Sequence, residues 1–438
     1  MKKILAILLA VVMVVCGALV LTGCGGSGNE TTEPADTSES TEAGSEDALK
    51  ELVAIEKAVP VVTGKDTDYS KIKIGFIFLH DPSASTYDNN FYQAALAVKE
   101  ELGLTDDQVM FKWNIPEEGS DCLDTATEFV DAGCNIVFAD SFGHESNMKL
   151  AAEKFPEVQF CHATGTQGIV AGLANYHNAF ANIYEGRYLA GIAAGMKLNE
   201  MIEEGKITAE EAKIGYVGAW PYAEVKSGYT SFFLGARSVC KTATMEVVFT
   251  NSWFDIALER EGALNLINNG CVLISQHADS EGAPKACEEK GVPNVAYNLN
   301  TINLGPTTAL ISSKINWAPY YKLIIESVAT DKAIPADWCG TIETGSVELT
   351  ELNEKVAAKG TMDAIEAAKA DIVAGKIHVF DTANFTVEGK ALETYAADVL
   401  DMGDFAPETN VIIDGYFNES VGRSAPYFDV LIDGVTLK

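Results

Sequence analysis

From residue 71 onward, short unbroken apolar runs alternate with longer amphipathic stretches. KIKIGFIFL, residues 71–79, is a continuous apolar run of the kind a buried parallel strand requires. A turn-rich loop, HDPSASTYDNN, separates it from FYQAALAVKEELGL, whose apolar positions recur at helical spacing. The alternation continues through CLDTATEFVDAGC as helix, NIVFAD as strand, HESNMKLAAEKFP as helix and VQFCHATG as strand. Strands alternating with helices of this length predict an α/β fold built on a doubly wound parallel sheet.

A second series opens with NIYEGRYLAGIAAGMKLNEMI. Its strands are AKIGYVG, MEVVFTNS, CVLISQ and VPNVAYN, with helices around SFFLGARSV, DIALEREGALNLI and EGAPKACEEKG. Two such series predict two Rossmann-like lobes facing a cleft, lobe 1 over residues 71–180 and lobe 2 over 181–314. The helix WAPYYKLIIESVATDK follows the strand-like TALISSKI, so the chain crosses between lobes more than twice and part of 315–345 returns to lobe 1. Regularity falls off in 346–438, an α+β segment that completes the lobes, with TNVIIDGYF and PYFDVLIDG as short β additions. No repeat of solenoid type is present.

The N-terminus changes the picture from a soluble domain to an exported one. MKK is followed by the apolar run ILAILLAVVMVVCGALVL, whose last Leu begins LTGC. A basic start, an apolar stretch and small residues at its end make a signal peptide over residues 1–23 rather than a retained span. LTGC resembles the lipobox of bacterial lipoproteins, which implies cleavage before Cys24 and lipid attachment to its thiol. Several acyl chains would hold the protein at a membrane surface, where one alone is marginal. Residues 25–47 carry seven acidic side chains, no basic ones and no large apolar ones. Such a stretch cannot bury enough surface to fold, so 24–56 is expected to be a tether, with DALKELVAIEKAV as a short helix.

The formal net charge of -32 over 438 residues argues against nucleic acid, because no Lys/Arg patch is available to neutralise phosphates. Outside the leader and Cys24 the cysteines number seven, with no CxxC pair. An odd count argues against a full disulfide framework, and free Cys usually packs as a small hydrophobe.

Catalytic and metal patterns are mostly missing: no GxSxG elbow, HExxH helix, Walker loop or GxGxxG after the first strand occurs, and no His has metal-ligand spacing. SQHADS, with His277 and Asp279, could hold an acid–base pair and is the basis of a rival reading as a nucleoside-processing enzyme. Ligands of open α/β sheets sit beyond the carboxyl ends of the strands. The loops there are HDPSASTYDNN, ADSFGHES, GAWPYAE, TNSWFD, SQHADS and YNLN. They supply Tyr87, Phe142, Trp220, Trp253 and Phe254 as flat apolar faces, and Asn90, Asp140, Asp255, Gln276, Asp279 and Asn298 as directional hydrogen-bonding groups. That mix suits a planar, polar-edged small molecule.

IGFIF with DNNFYQAALAVKEEL, ANIYEGRYLAGIAAG, AKIGYVGAW, TNSWFDIALEREGALNLINNGCVLISQHADS and INWAPYY resemble the basic membrane protein (BMP) family. These are substrate-binding lipoproteins of ABC importers, purine nucleoside receptors among them. The resemblance runs from about Lys71 to Pro335. It implies the type I periplasmic-binding-protein fold, no enzymatic activity, no cofactor, a monomer delivering its solute to an ABC permease, and anchorage on the extracytoplasmic side. SWFD and QHADS look closest to a branch associated with purine nucleobases such as adenine. The resemblance also implies that the purine stacks between an aromatic of the first-strand loop, Tyr87 or Phe91, and Trp253 or Phe254; Tyr87 and Trp253 are the preferred pair. Asn298 stands where nucleoside-binding relatives carry an Asp suited to the ribose hydroxyls, which weakens the nucleoside reading. A receptor of this fold for a sugar, a flavin or a signalling molecule is the alternative.

Overall fold

The computed structural model describes residues 67–403 and 406–438. The signal peptide, Cys24, the acidic tether and the short helix expected after it lie outside the described residues.

Lobe 1 begins with β1 (Ile74–Ile77), in which all four residues are buried, as a central parallel strand demands. Helix α1 (Thr86–Leu102) starts where the Ser85 side chain accepts the Asp88 N–H, and ends at Gly103 in the left-handed conformation at φ 67°. Next come β2 (Val109–Lys112), α2 (Asp121–Asp131), β3 (Ile136–Ala139), α3 (Glu145–Lys154), β4 (Gln159–Ala163) and β5 (Tyr176–Ala181). Lobe 2 runs through α4 (Ile183–Glu203), β6 (Lys213–Gly218), α5 (Ala223–Val239), β7 (Thr244–Phe249), α6 (Ile256–Asn268), β8 (Leu273–His277), α7 (Gly282–Lys290), β9 (Asn294–Tyr297) and β10 (Ala309–Ile315). The chain returns to lobe 1 for α8 (Ala318–Ala329) and β11 (Asp337–Gly340). It then re-enters lobe 2 with β12 (Val347–Leu349), α9 (Thr361–Val373) and finally β17 (Val435–Leu437), after the two-residue strands β13 (Ala396–Ala397), β14 (Thr409–Asn410), β15 (Ile412–Ile413) and β16 (Tyr416–Phe417).

The first sheet has the order β11-β5-β4-β3-β1-β2 and the second β12-β10-β9-β8-β6-β7-β17. All pairings in both are parallel except β12 against β10. The chain is α/β with two parallel-sheet lobes, as its periodicity predicts.

Three crossings join the lobes, at Asn182, at Asn316 and over residues 341–346, and they are bonded to one another. Asn182 N–H donates to the Gly340 carbonyl at 2.8 Å, and Asn316 N–H to Ser346 at 2.7 Å. Glu185, in the first turn of α4, accepts the Ile342 N–H at 3.1 Å.

The strands that periodicity does not reveal are those with polar interiors or very short runs. β5 buries His177 and Asn178 inside the sheet, where His177 bridges the Pro335 carbonyl and the Gln159 side chain. PYFDVLIDG, expected as a β addition, forms no strand; Tyr427, Phe428, Val430 and Ile432 are instead plugged into the lobe 2 core. The apolar alternation is real, but it serves packing of an irregular segment rather than a ladder. All seven described cysteines are buried.

Candidate functional site

The two sheets face each other across the carboxyl ends of their strands, and the lobes touch there. Thr86 donates to the Asp279 carbonyl from both its N–H, at 2.8 Å, and its hydroxyl, at 3.0 Å. His80 packs on Phe254 with ring centroids 5.2 Å apart, and Phe142 on Tyr222 at 5.9 Å. This is a closed arrangement, with an inner slot enclosed between the lobes.

Lobe 1 lines the slot with Leu79, Tyr87, Ser141, Phe142 and Thr164. Lobe 2 contributes Glu224, Trp253, His277 and Asp279. The slot measures about 20 Å³, room for about one water, so anything larger needs its walls to part. Outside it lies a chamber of about 430 Å³ that shares Phe142, Thr164, Glu224 and Trp253 with the slot. The two therefore adjoin. The outer walls are completed by the C-terminal segment, including Tyr395, Pro426 and Tyr427.

Local structure explains each placement. The Tyr87 hydroxyl donates to the Asp140 carbonyl at 2.8 Å, which fixes the ring at the slot wall with Phe91 edge-on behind it, centroids 4.8 Å apart. Trp253 follows Asn251, whose φ of 54° turns the loop after β7, and Trp253 accepts the Asp279 N–H at 2.9 Å on its carbonyl. Thr164 holds a φ of 64° at the end of β4. A β-branched residue in the left-handed region is strained, and such strain persists only where the surroundings enforce it.

Of the residues expected at the site, the structure brings Tyr87, Phe142, Trp253 and Asp279 to the slot. Seven others stand elsewhere. Asn90 spends its amide on the Ile315 carbonyl, tying α1 to the crossing strand. Asp140 is buried behind Tyr87 and accepts the Leu79 N–H at 3.1 Å. Trp220 stacks on Tyr222 at 5.8 Å and 11°. Phe254 packs on His80 across the closure line. Asp255 caps α6, accepting the N–H groups of Ala257 and Leu258 at 2.9 Å. Gln276 donates to the Ala278 and Ser280 carbonyls and shapes the loop after β8. Asn298 is buried at φ 67° and donates its N–H to the Ser313 carbonyl at 2.9 Å. Their polar groups shape the loops, and none of the seven lines the slot.

The missed residues are Leu79, Ser141, Thr164 and Glu224, together with Glu259 one layer back. Thr164 and Glu224 follow strands β4 and β6, so their place in the loops beyond the strand ends was the available signal. Glu259 had none: it is a helical Glu that the fold happens to bury completely. It accepts the Asp255 N–H at 3.1 Å and the Ser280 N–H at 3.1 and 3.2 Å. One carboxyl thus ties together the loops that carry Trp253 and Asp279.

Electrostatics in the slot favour neutral groups. Burial pushes Asp279 well above the usual carboxylate range, reinforced by the negative charges of Glu259, Asp88 and Glu224. A protonated carboxyl both donates and accepts a hydrogen bond. His277 is pushed down to about 4 by burial and by the Arg187 cation, and its Nε2 lies 3.3 Å from Glu224. Its partner is Glu224, not the Asp279 that an acid–base pair in SQHADS would need. Arg187 is itself buried, donating to the Gln276 carbonyl at 2.8 Å with its guanidinium 3.6 Å over the Tyr297 ring.

Glu259 has a pH consequence. Burial raises its carboxyl to about 7, above its value in an unfolded chain. A raised folded value means stability that is complete below the unfolded pKa and lost as pH rises through the folded one. Buried His144, His177 and His277, pushed down to about 4 from about 6.5 when unfolded, act with the opposite sign, adding stability as pH rises through about 6.5. The Glu259 contribution should therefore fall by about 1 kcal/mol between pH 6 and pH 8. Thermal melts of wild type and Glu259→Gln across that range separate it from the histidines: the variant should gain about 1 kcal/mol relative to wild type, and an unchanged difference would show that Glu259 is ionised throughout.

The family model for PnrA-like ABC transporter substrate-binding proteins, Bmp, matches residues 72–382. The chain belongs to the Bmp family. A purine-binding protein of Brucella abortus is 34% identical over 253 residues, covering 57% of this chain and 67% of its own. A putative ABC transporter glucose-binding protein of Haloferax volcanii is 29% identical over 315 residues, covering 72% and 73%. Solved structures of ABC solute-binding proteins from Aeropyrum pernix and Conexibacter woesei superpose with TM-scores of 0.57 and 0.55 at 16% and 18% identity. They cover 70% of this chain and 93% and 98% of their own, and they support the fold. Bmp proteins are solute-binding components of ABC transporters rather than enzymes, and such components work outside the cytoplasm. Among the described residues no helix is long and apolar enough to cross a membrane.

Proposed function

We propose that this Bmp protein is the lipid-anchored receptor of an ABC importer, holding a purine nucleobase or nucleoside between its lobes. The observation that carries the reading is the slot itself: Tyr87 and Phe142 from one lobe oppose Trp253 from the other, with Asp279 beside them. Flat rings gain stacking and burial between such walls, while a neutral Asp279 offers the paired donor and acceptor that a purine edge presents in mirror image. Glu224 and the ring of His277 supply further polar contacts. The purine-binding Brucella relative supports the same assignment.

Ligand contacting both lobes favours the closed form, and the three bonded crossings are the hinge about which the lobes part. Cys24, freed by removal of residues 1–23, carries the lipid, and the acidic tether holds the lobes off the membrane as a monomer available to the permease. Affinity of about 1 μM to 1 nM, roughly -8 to -12 kcal/mol, is expected of so enclosed a site. A melting-temperature screen of the mature protein against adenine, guanine, adenosine, inosine and guanosine, with glucose as the competing class, tests this. Stabilisation by at least one purine and none by glucose is the expected result. A shift with glucose alone would replace the purine with a sugar.

A further inference from the structure

The inner slot and the outer chamber are unequal. About 20 Å³ inside adjoins about 430 Å³ outside, with Phe142, Thr164, Glu224 and Trp253 bordering both. Part of the outer wall comes from residues beyond the stretch that matches the Bmp family, which ends at 382. Tyr395, Pro426 and Tyr427 stand opposite Phe142 of lobe 1 and Tyr222 and Trp253 of lobe 2.

The C-terminal segment is fixed across the cleft mouth. Its apolar side chains, among them Val399, Phe417, Phe428 and Ile432, are packed into the lobe 2 core. At the same time it is bonded to lobe 1, where Asp401 accepts the Thr166 hydroxyl at 2.5 Å and Asp337 accepts the Ser424 N–H at 2.8 Å. A wall tied to both lobes encloses whatever extends outward from the slot.

The wall chemistry says what could extend there. Five aromatic rings and three prolines face the chamber, which suits a bulky apolar or aromatic group. The charged groups are mostly acidic: Glu224, Asp398, Asp401 and Asp429 against one Arg423. Arg423 is turned inward, donating to the Ala425 carbonyl at 3.2 Å and the Pro426 carbonyl at 3.4 Å with Nη1 buried, and Lys226 is paired with Asp429. Arg423 Nη1 has no partner, but four carboxyls to one guanidinium leave the chamber wall net acidic, which disfavours a phosphate.

We propose that the outer chamber is a second subsite, which takes a bulky, apolar, non-anionic substituent carried on the edge of the purine in the slot. The proposal rests on the purine reading above and assigns the chamber, roofed by the C-terminal segment, a selectivity of its own.

Calorimetric titration of the mature protein with adenine, N6-benzyladenine, 9-benzyladenine and adenosine monophosphate tests it. One of the two benzyl isomers, the one whose substituent faces outward, is expected to bind about tenfold more tightly than adenine, since a phenyl group moves from water to an apolar chamber. The monophosphate is expected to bind more weakly than adenine. Tyr395→Ala should reduce the preference for the benzyl isomer to within about threefold. Tyr222→Ala should do the same from the opposite wall, and since Tyr222 is 45% exposed that variant tests the chamber without risking the core. Adenine binding with neither benzyl isomer favoured, or a preference that survives both variants, would overturn the subsite and leave the purine slot standing. Failure of all four compounds to bind would overturn the subsite, and failure of guanine, inosine and guanosine as well would remove the purine reading with it.

Discussion

Trp253→Ala is expected to weaken purine binding by about ten- to a hundredfold while leaving the fold intact. Stacking of a base on an aromatic ring is worth about 1–3 kcal/mol by alanine substitution, and Trp253 is the ring that lobe 2 presents to both the slot and the chamber. Its side chain is only partly buried and packs at the margin of the lobe 2 core, so truncation removes little packing. The backbone that positions it is held by other residues, through the Asp255 cap and the Glu259 ties, and survives the substitution. Phe254→Ala is the paired control. Phe254 meets His80 across the closure line rather than lining the slot, so its loss should act through closure and cost less than loss of Trp253. Titration of both variants decides between the neighbours: a larger loss at Phe254 would reverse their roles.

Gly191→Ala is expected to destabilise the whole protein by about 3 kcal/mol or more, whatever it binds. Helices α4 and α5 cross so closely that a Cβ at Gly191 would lie 2.1 Å from the Phe232 carbonyl oxygen, and one at Gly235 would lie 2.0 Å from that of Tyr188. Backbone on the opposing helix cannot swing aside as a side-chain tip can. Overpacking of this kind commonly costs about 1–3 kcal/mol and more where backbone must move. Ordinary helix propensity would favour alanine by about 1 kcal/mol, so the sign of the result separates packing from propensity. Chemical denaturation of Gly191→Ala and Gly235→Ala checks it; unchanged midpoints would mean the helices can part without loss.

These two residues also show how the sequence carries its information. EGRYLAGIAAG was legible as a family motif, but Gly191 and Gly195 acquire a reason only when α5 lies against them. The lobes were legible because unbroken apolar runs such as IGFI need a buried parallel sheet. β5 was not, because its buried His177 and Asn178 are satisfied by Pro335, Gln159 and Gly168, groups distant in the chain or in other elements. Of the aromatics at strand carboxyl ends, Tyr87, Phe142 and Trp253 line the slot, while Trp220 and Phe254 pack elsewhere. Polar residues at the same ends were a poor guide, because loops there must satisfy their own backbone: Asp255 and Gln276 are used for that purpose. The large chamber could not be foreseen, since its outer wall comes from a segment with no regular periodicity.

The central claim is that a purine is held between Tyr87 with Phe142 and Trp253. Isothermal titration of adenine into the mature wild-type protein, alongside Trp253→Ala, tests it most directly. The account predicts one site per chain with a dissociation constant of about 1 μM or tighter in the wild type, weakened at least about tenfold in the variant. Wild-type binding of adenine that Trp253→Ala leaves unchanged would place the purine elsewhere. No heat of binding with adenine, nor with guanine or the purine nucleosides, would contradict the assignment itself.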